Sequence, residues 1–190
     1  MKTEFIPAHI YGETYLGLSQ EYLKNIEASI ELLRKGDVNG ESYSNTDFGW
    51  HSGYIPQGGV FEKLTQKICS EAYDFIKQLE SFNFSKLRMN NLWANINYKG
   101  DINWPHNHEG DISGAYYIKV PKNSGDLALV RYNESSTKLG SFFKKNYQYK
   151  TLKSKKDKLV LFDSACLHLV TKNHNIEPRI SLSFNLDIEE

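Results

Sequence analysis

Residues 179–186 read Arg-Ile-Ser-Leu-Ser-Phe-Asn-Leu, with a polar side chain at every odd position and an apolar one at every even position. Successive side chains of a β-strand point to opposite faces of its sheet. The alternation therefore predicts a strand with one apolar face and one polar face, and the polar face begins with a guanidinium. Such a face can simply contact water, so its meaning depends on the rest of the chain.

Short strands are expected throughout the second half of the chain. Turn residues separate them, for example at 99–101 and 121–125. The predicted strands are 87–97, 112–120, 126–132, 147–152, 158–163, 167–171 and 179–186. Many short strands after a helical start are typical of a β-sandwich or jelly roll with helices laid on one sheet.

Two amphipathic helices are predicted before these strands. The first is capped by Ser19 and closed by Gly36, and the second runs from about residue 61 to 79. Both apolar stripes predict packing against a sheet. The expected fold class is mainly β with helices (α+β). We expect one domain over 1–190, with helical support at about 1–85 and a jelly-roll core at about 86–190.

The composition is that of a folded chain without an overall charge bias. Hydrophobic residues make up 39%, and 23 Lys and Arg balance 23 Asp and Glu, so no global field attracts nucleic acid or an anionic membrane. The apolar runs are too short to cross a bilayer, and the first residues lack the pattern of a secretory signal. Cys69 and Cys166 are expected to be buried thiols in a reducing compartment. These features predict a cytoplasmic protein.

Three of the six histidines form the strongest candidate for chemistry. His106 and His108 are two residues apart, so in an extended segment both point to one face and could bind one metal ion. His168 lies in an apolar run that predicts a strand, where a buried imidazole needs a partner such as a metal. A His-x-His pair alone is a weak signal. Arg179 and Ser181, on the polar face described above, strengthen it, because a guanidinium fork and a hydroxyl suit a small dicarboxylate.

Several ordered blocks of the sequence resemble a known family. They are Gly-Trp-His-Ser at 49–52, Trp-Ala-Asn-Ile-Asn-Tyr-Lys-Gly-Asp-Ile-Asn-Trp-Pro-His-Asn-His at 93–108, Ser-Gly-Ala-Tyr-Tyr at 113–117, Leu-Phe-Asp-Ser at 161–164 leading to His168, and Arg-Ile-Ser-Leu-Ser-Phe-Asn at 179–185. In this order they look like the 2-oxoglutarate/Fe(II)-dependent oxygenases found in bacteria and tailed phages. The similarity covers about residues 44–185, which is most of the chain.

The resemblance implies a double-stranded β-helix, or jelly roll, with a mononuclear Fe(II) centre in its mouth. It implies a dioxygenase that couples decarboxylation of 2-oxoglutarate to hydroxylation of a substrate, with Fe(II) as cofactor and 2-oxoglutarate and O₂ as cosubstrates. A phage-encoded member would act in the host cytoplasm. The primary substrate stays open among a protein side chain, a nucleobase and a small metabolite, and no oligomeric state is predicted.

The resemblance also assigns roles to single residues. His106 and His168 would bind iron, and Arg179 would pair with the distal carboxylate of 2-oxoglutarate. The other contacts to 2-oxoglutarate would come from Ser181, Tyr117 and Asn95. The candidates near the substrate, or behind these contacts, are Asn103, Tyr116, His51, Asp111 and Asn185.

The third iron ligand departs from the usual facial triad, which has a carboxylate two residues after the first histidine. Here that position is His108. The family tolerates a histidine there, so His108 is the first choice, and Asp111 or Glu109 is the alternative if the segment loops. Without an anionic ligand, the dianionic 2-oxoglutarate would have to balance the charge of Fe(II).

Two other functions stay open as alternatives. A cupin-like metal dioxygenase that does not use 2-oxoglutarate fits Gly100 followed by His106 and His108. That motif expects a glutamate a few residues later, which is absent, and it leaves Arg179 without a role. The other alternative is a non-catalytic jelly-roll binding module, although this chain keeps every candidate ligand that decay would remove.

A basic stretch runs from Lys138 to Lys158. It contains eight lysines and a single acid, Asp157, with aromatic residues between them. Grooves for single-stranded nucleic acid use this mixture, because lysines pair with phosphates and aromatic rings stack on bases. A solvated hairpin with an inward aromatic face is the favoured interpretation. The histidines without spaced partners, His9 and His174, are predicted at the surface.

Overall fold

The computed structural model describes residues 2–6, 9–42, 49–79, 84–132 and 147–189. Within these ranges the chain forms two α-helices and eleven β-strands. In chain order they are β1 (Lys2–Ile6), β2 (His9–Tyr15), α1 (Gln20–Gly36), β3 (Trp50–His51), α2 (Glu62–Lys77), β4 (Lys86–Asn97), β5 (Asn103–His106), β6 (Ile112–Lys119), β7 (Leu127–Tyr132), β8 (Tyr147–Leu152), β9 (Lys158–Asp163), β10 (His168–Val170) and β11 (Arg179–Glu189).

The strands form two antiparallel sheets. The strand order is β1-β2-β9-β6-β11-β4-β3 in the larger sheet and β5-β10-β7-β8 in the smaller one. Most neighbours are distant in sequence, as where β11 lies between β4 and β6. Two such sheets packed face to face make a double-stranded β-helix, which confirms the predicted jelly roll.

Strand β11 of the larger sheet, which lies between β6 and β4, separates two apolar layers. Its even positions from 180 to 186 are fully buried with the apolar stripes of α1 and α2. A second, smaller layer between the two sheets includes Tyr117, Leu129 and Phe162. The odd positions of β11 face this inter-sheet side, where Arg179, Ser181, Ser183 and Asn185 line a cleft. The polar face predicted from the alternation therefore points into the molecule.

The two helices match their predictions closely. The Ser19 hydroxyl accepts a hydrogen bond from the backbone N–H of Tyr22 (3.2 Å), so it is the N-cap of α1, which ends at Gly36. The second helix begins one residue later than expected, because a 3₁₀ turn over Gly59–Phe61 precedes it, and it ends two residues earlier, at Lys77. Within the described residues, neither helix is long and apolar enough to cross a membrane.

Four strands were not predicted, and three of them come from the segment expected to be helical support. Strand β2 pairs with β9, and β1 extends the same sheet as an outer hairpin. Strand β3 pairs with β4, and β5 pairs with β10. The segment predicted as helical support, about 1–85, thus also contributes three strands to the larger sheet. Gly12 interrupts the alternation in β2 and β3 has only two residues, so neither strand carries a clear pattern of its own.

Candidate functional site

A cleft of about 650 Å³ opens between the two sheets. The smaller sheet supplies its histidine-rich wall through β5, β10 and the loop after β5. The larger sheet supplies the opposite wall through β4, β6 and β11. The candidate residues of both walls line one cleft, and they are His51, Asn95, Asn103, His106, His108, Glu109, Tyr117, His168, Arg179, Ser181 and Asn185.

Three histidines of this cleft converge. His106 ends β5 and His168 begins β10, and the two are direct partners across the antiparallel pair. Their ring centroids are 4.3 Å apart, and each lies 5.0 Å from the ring of His108. One possible ligand atom from each residue lies within 4.8 Å of the other two, so the three rings could hold a single metal ion. Imidazole nitrogens suit iron, zinc, copper and nickel.

Backbone carbonyls orient two of these rings. Nδ1 of His106 contacts the carbonyl oxygen of Trp104 (2.6 Å), and Nδ1 of His168 contacts that of Cys166 (2.9 Å). A carbonyl oxygen can only accept, so each Nδ1 must carry the proton. The lone pair then lies on Nε2, the nitrogen that can bind a metal.

Burial keeps the three rings neutral. Desolvation, with the nearby His106, lowers the pKa of His108 to about 4 and that of His168 to about 3. Desolvation also lowers the pKa of His106. A neutral imidazole is the form that binds metals, so the site is ready for a cation at neutral pH. Three neutral rings also supply no negative charge to it.

The two carboxylates considered as alternative ligands lie outside this histidine cluster. The exposed Asp111 accepts a hydrogen bond from the backbone N–H of Ile188 (2.7 Å) and does not line the cleft. Glu109 lines the cleft but does not join the group that could hold a metal. Among the described residues, the geometry favours His108 as the third ligand.

Arg179 is the second feature of the cleft. Its side chain is 2% exposed, and Nη2 donates a hydrogen bond to Oδ1 of Asn97 (2.6 Å). Nε and Nη1 are buried without a hydrogen-bond partner, and no described carboxylate pairs with the guanidinium. Buried unpaired donors on a cation are costly unless a ligand satisfies them. A carboxylate of 2-oxoglutarate fits this requirement.

Several neighbours complete the wall around Arg179. Ser181 lies between Asn95 on β4 and Tyr117 on β6 in the strand register. The amide of Asn95 donates to the hydroxyl of Ser183 (3.0 Å). Burial raises the pKa of Tyr117, so its hydroxyl stays protonated and can donate. These groups surround the guanidinium with neutral donors and acceptors.

The remaining candidates divide between the cleft and the core. Asn185 accepts from the hydroxyl of Ser113 (2.7 Å), and His51 stacks on Trp93 with ring centroids 5.7 Å apart. Tyr116, by contrast, lies in the core on the helix side, where its hydroxyl donates to Asp157 (2.6 Å). Its placement near the substrate is therefore wrong, because adjacent residues of β6 point to opposite faces. Asp111 is exposed and lies outside the cleft, so it is no longer a candidate.

Two residues important to the cleft were not predicted. Asn97 holds Arg179 from outside the cleft, and Trp93 lines it between His51 and His108. Both lie within the block that carries the family resemblance. Asn97 shares the polar alternation of β4 with Asn95, and this is the sequence signal that points to it.

The basic stretch lies apart from the cleft as far as it is described. Lys138, Lys144 and Lys145 fall outside the described residues, as do the aromatic rings at 142, 143 and 147. Lys158 is buried in an ion pair with Glu13, and Lys153 pairs with Asp126 (2.7 Å). No described lysine lines the cleft. The internal pairing favours the structural interpretation of the described part.

The cleft of this jelly roll combines three converging histidines, which could hold a metal ion, with a buried arginine that has no counter-ion among the described residues, an arrangement that suits a metal-dependent enzyme acting with a small carboxylic acid. Residues 91–185, half of the chain, match the family model described as "Putative 2OG-Fe(II) oxygenase". The chain belongs to this family. Its enzymes use Fe(II) as cofactor, with 2-oxoglutarate and O₂ as cosubstrates.

Solved structures share the fold at low sequence identity. A prolyl-4-hydroxylase from Pseudomonas putida superposes with a TM-score of 0.64 at 12% identity, covering 95% of this chain and 92% of that chain. The collagen prolyl hydroxylase of Paramecium bursaria Chlorella virus-1 gives 0.62 at 12%, covering 95% and 96%. The 2-oxoglutarate-dependent epimerase SnoN of nogalamycin biosynthesis gives 0.69 at 14%, covering 93% and 76%.

One curated protein also matches part of the sequence. A probable aspartoacylase from Nostoc sp. strain PCC 7120 is 28% identical in an alignment of 116 residues, and the match covers 55% of this chain and 40% of the relative. The chain thus spans less than half the length of the curated relative that it matches.

Proposed function

We propose that this chain is an Fe(II)- and 2-oxoglutarate-dependent hydroxylase whose iron is held by His106, His108 and His168. The observation that carries the proposal is the pairing, in one cleft, of a neutral three-histidine cluster with a buried guanidinium that has no described counter-ion. The histidine cluster could hold a cation, and the guanidinium suits an anion. Fe(II) and a carboxylate of 2-oxoglutarate satisfy both together.

The residues of the larger sheet bind and orient the cosubstrate. Arg179 pairs with its distal carboxylate, and Ser181, Tyr117 and Asn95 add neutral hydrogen bonds on the same wall. When bound, Fe(II) supplies the oxygen chemistry, in which O₂ and 2-oxoglutarate yield succinate, CO₂ and a hydroxylated substrate. The protein keeps its own metal-binding imidazoles neutral and shields them from water. With no carboxylate in the cluster, the cosubstrate provides the negative charge.

We favour a protein side chain over a nucleobase as the primary substrate, with a small metabolite as the other candidate. Arg179 is the only Lys or Arg among the described residues that line the cleft, and its position is deep. Nucleic acid would bring phosphates that need cations near the mouth. Asn107, Trp104 and Tyr54 line the outer part instead, and such amides and aromatic rings suit a peptide. Two similar solved structures are prolyl hydroxylases, which makes peptidyl proline the first residue to test.

The chain is proposed to act as one catalytic domain in the cytoplasm. The residues that line the cleft run from β3 to β11, so the segment before residue 86 and the segment after it both contribute to the same site. Cys69 and Cys166 are both free thiols, as a reducing compartment would keep them.

Anaerobic titration of 2-oxoglutarate into the Fe(II)-loaded protein tests the proposal through the visible metal-to-ligand charge-transfer band. We expect a saturable band, a much weaker affinity in Arg179→Ala and no band in His168→Ala. The matched control is His174→Ala, since His174 is exposed and outside the cleft. Metal binding without a band would favour the cupin-like enzyme. A chain that binds no metal would contradict both enzyme readings and leave a binding module.

A further inference from the structure

The partner of Arg179 is a neutral amide. Asn97 is the cross-strand neighbour of Arg179 in the β4–β11 pair, and it is 2% exposed. Its Oδ1 accepts from Nη2 at 2.6 Å. Asn97 does not line the cleft, so it contacts the guanidinium from behind.

A small hydrogen-bond network fixes this amide. Nδ2 of Asn97 donates to Oδ1 of Asn103 (2.9 Å), and the backbone carbonyl of Asn97 accepts from Nδ2 of Asn173 (2.9 Å). The amide therefore has one orientation, with its oxygen toward Arg179. All three asparagines are buried.

The carboxylates near Arg179 have other partners. Oδ2 of Asp101 accepts from the backbone N–H of Tyr98 (2.6 Å). Asp126 binds Lys153 (2.7 Å) and the backbone N–H of Ser154 (2.9 Å). Both carboxylates favour the charged form of Arg179, but no described hydrogen bond or ion pair joins them to the guanidinium, whose Nε and Nη1 have no hydrogen-bond partner.

We propose that Asn97 is a positioning residue that fixes Arg179 without forming an ion pair with it, so that the buried Nε and Nη1 donors stay available for a carboxylate of the cosubstrate. This inference rests on the proposed function, in which Arg179 binds a carboxylate of 2-oxoglutarate. An aspartate in the same place would hold the guanidinium equally well, but it would compete with the incoming carboxylate. The choice of amide over acid at position 97 therefore sets the affinity for 2-oxoglutarate.

The test compares Asn97→Asp with Asn97→Ser. Calorimetric titration of 2-oxoglutarate into the anaerobic Fe(II) protein measures the dissociation constant, and thermal unfolding without 2-oxoglutarate measures stability. We expect Asn97→Asp to weaken binding by about tenfold or more, the scale of a charge-assisted hydrogen bond. Asn97→Ser, which stays neutral, should lose only about threefold. The Asn103 amide can rotate to donate to the new carboxylate, so Asn97→Asp should unfold at no lower temperature than Asn97→Ser.

The relative affinities of Asn97→Asp and Asn97→Ser for 2-oxoglutarate decide whether Asn97 has this positioning role. A purely structural role would make the isosteric aspartate the milder change, and equal or tighter binding in Asn97→Asp than in Asn97→Ser overturns the proposal. Failure of Asn97→Asp to fold also overturns it, because the buried ion pair is expected to form. Asn25→Asp, on the exposed face of α1, controls for an added charge and should bind like the wild type. Arg179→Ala separates the two claims: if it binds 2-oxoglutarate normally, the proposed function fails, whereas loss in Arg179→Ala without loss in Asn97→Asp refutes only the role of Asn97.

Discussion

The three rings of the proposed metal site are held in different ways. Carbonyl oxygens of Trp104 and Cys166 fix the rings of His106 and His168. Among the described residues no hydrogen bond holds the His108 ring, which packs against Trp93 with centroids 5.4 Å apart. The first two rings are thus oriented before a metal arrives. The third is the ligand whose replacement the site should tolerate best.

Substitution of His108 tests this difference at the residue scale. We expect His108→Ala to weaken Fe(II) binding at least about tenfold, because a ligand is lost. His108→Asp should still bind Fe(II), and its affinity for Fe(II) should depend less on whether 2-oxoglutarate is present. The reason is that a carboxylate adds the negative charge that three imidazoles lack. Anaerobic Fe(II) titration with and without 2-oxoglutarate measures both effects. Unchanged binding in His108→Ala would show that His108 is not a ligand and would favour Glu109, which also lines the cleft.

At the scale of elements, close packing of β6 against β11 depends on one glycine. A Cβ on Gly114 would lie 2.3 Å from Cζ of Phe184 and 2.7 Å from the backbone oxygen of Val160. Phe184 is fully buried in the layer below the helices, so its ring has little room to move. The Ser-Gly-Ala-Tyr-Tyr block therefore needs a glycine for packing.

Gly114→Ala should destabilise the fold by about 1–3 kcal/mol, the usual cost of overpacking a core. Equilibrium unfolding in urea measures the change. Gly36→Ala is the matched control, because a Cβ there meets nothing within 4 Å and should shift stability by less than about 0.5 kcal/mol. Equal effects in the two variants would mean that the strands separate easily at Gly114.

Helices and strands with a clear hydrophobic periodicity could be predicted from the sequence. Strands that form only because a neighbouring strand pairs with them could not. The alternation from Arg179 onward placed β11, and helical periodicity placed α1 and α2. Strand β3 exists because it pairs with β4, and β5 contains Pro105, which only an edge strand accepts easily. The site follows the same rule. The spacing of His106 and His108 is visible in the sequence, whereas the contact between Asn97 and Arg179 depends on the register of strands far apart in the chain.

At the scale of the whole molecule, the two halves of the proposed site lie on different sheets. His106 and His168 belong to the smaller sheet, through β5 and β10. Arg179 and Ser181 belong to the larger sheet, through β11. A metal alone contacts mainly one wall, whereas metal and 2-oxoglutarate together engage both. Ligand binding should therefore connect the sheets as well as prepare the chemistry.

This arrangement predicts that Fe(II) and 2-oxoglutarate stabilise the fold cooperatively. A ligand that binds only the native state adds about 2.7 kcal/mol at one hundred times its dissociation constant. Because each ligand supplies the charge that the other lacks, each should tighten the binding of the other. The rise in unfolding temperature with both present should exceed the sum of the separate rises in anaerobic thermal unfolding. In Arg179→Ala, Fe(II) alone should still raise the unfolding temperature, but the two ligands together should no longer raise it by more than the sum of their separate effects. Strictly additive rises in the wild type would show that the two walls bind their ligands independently.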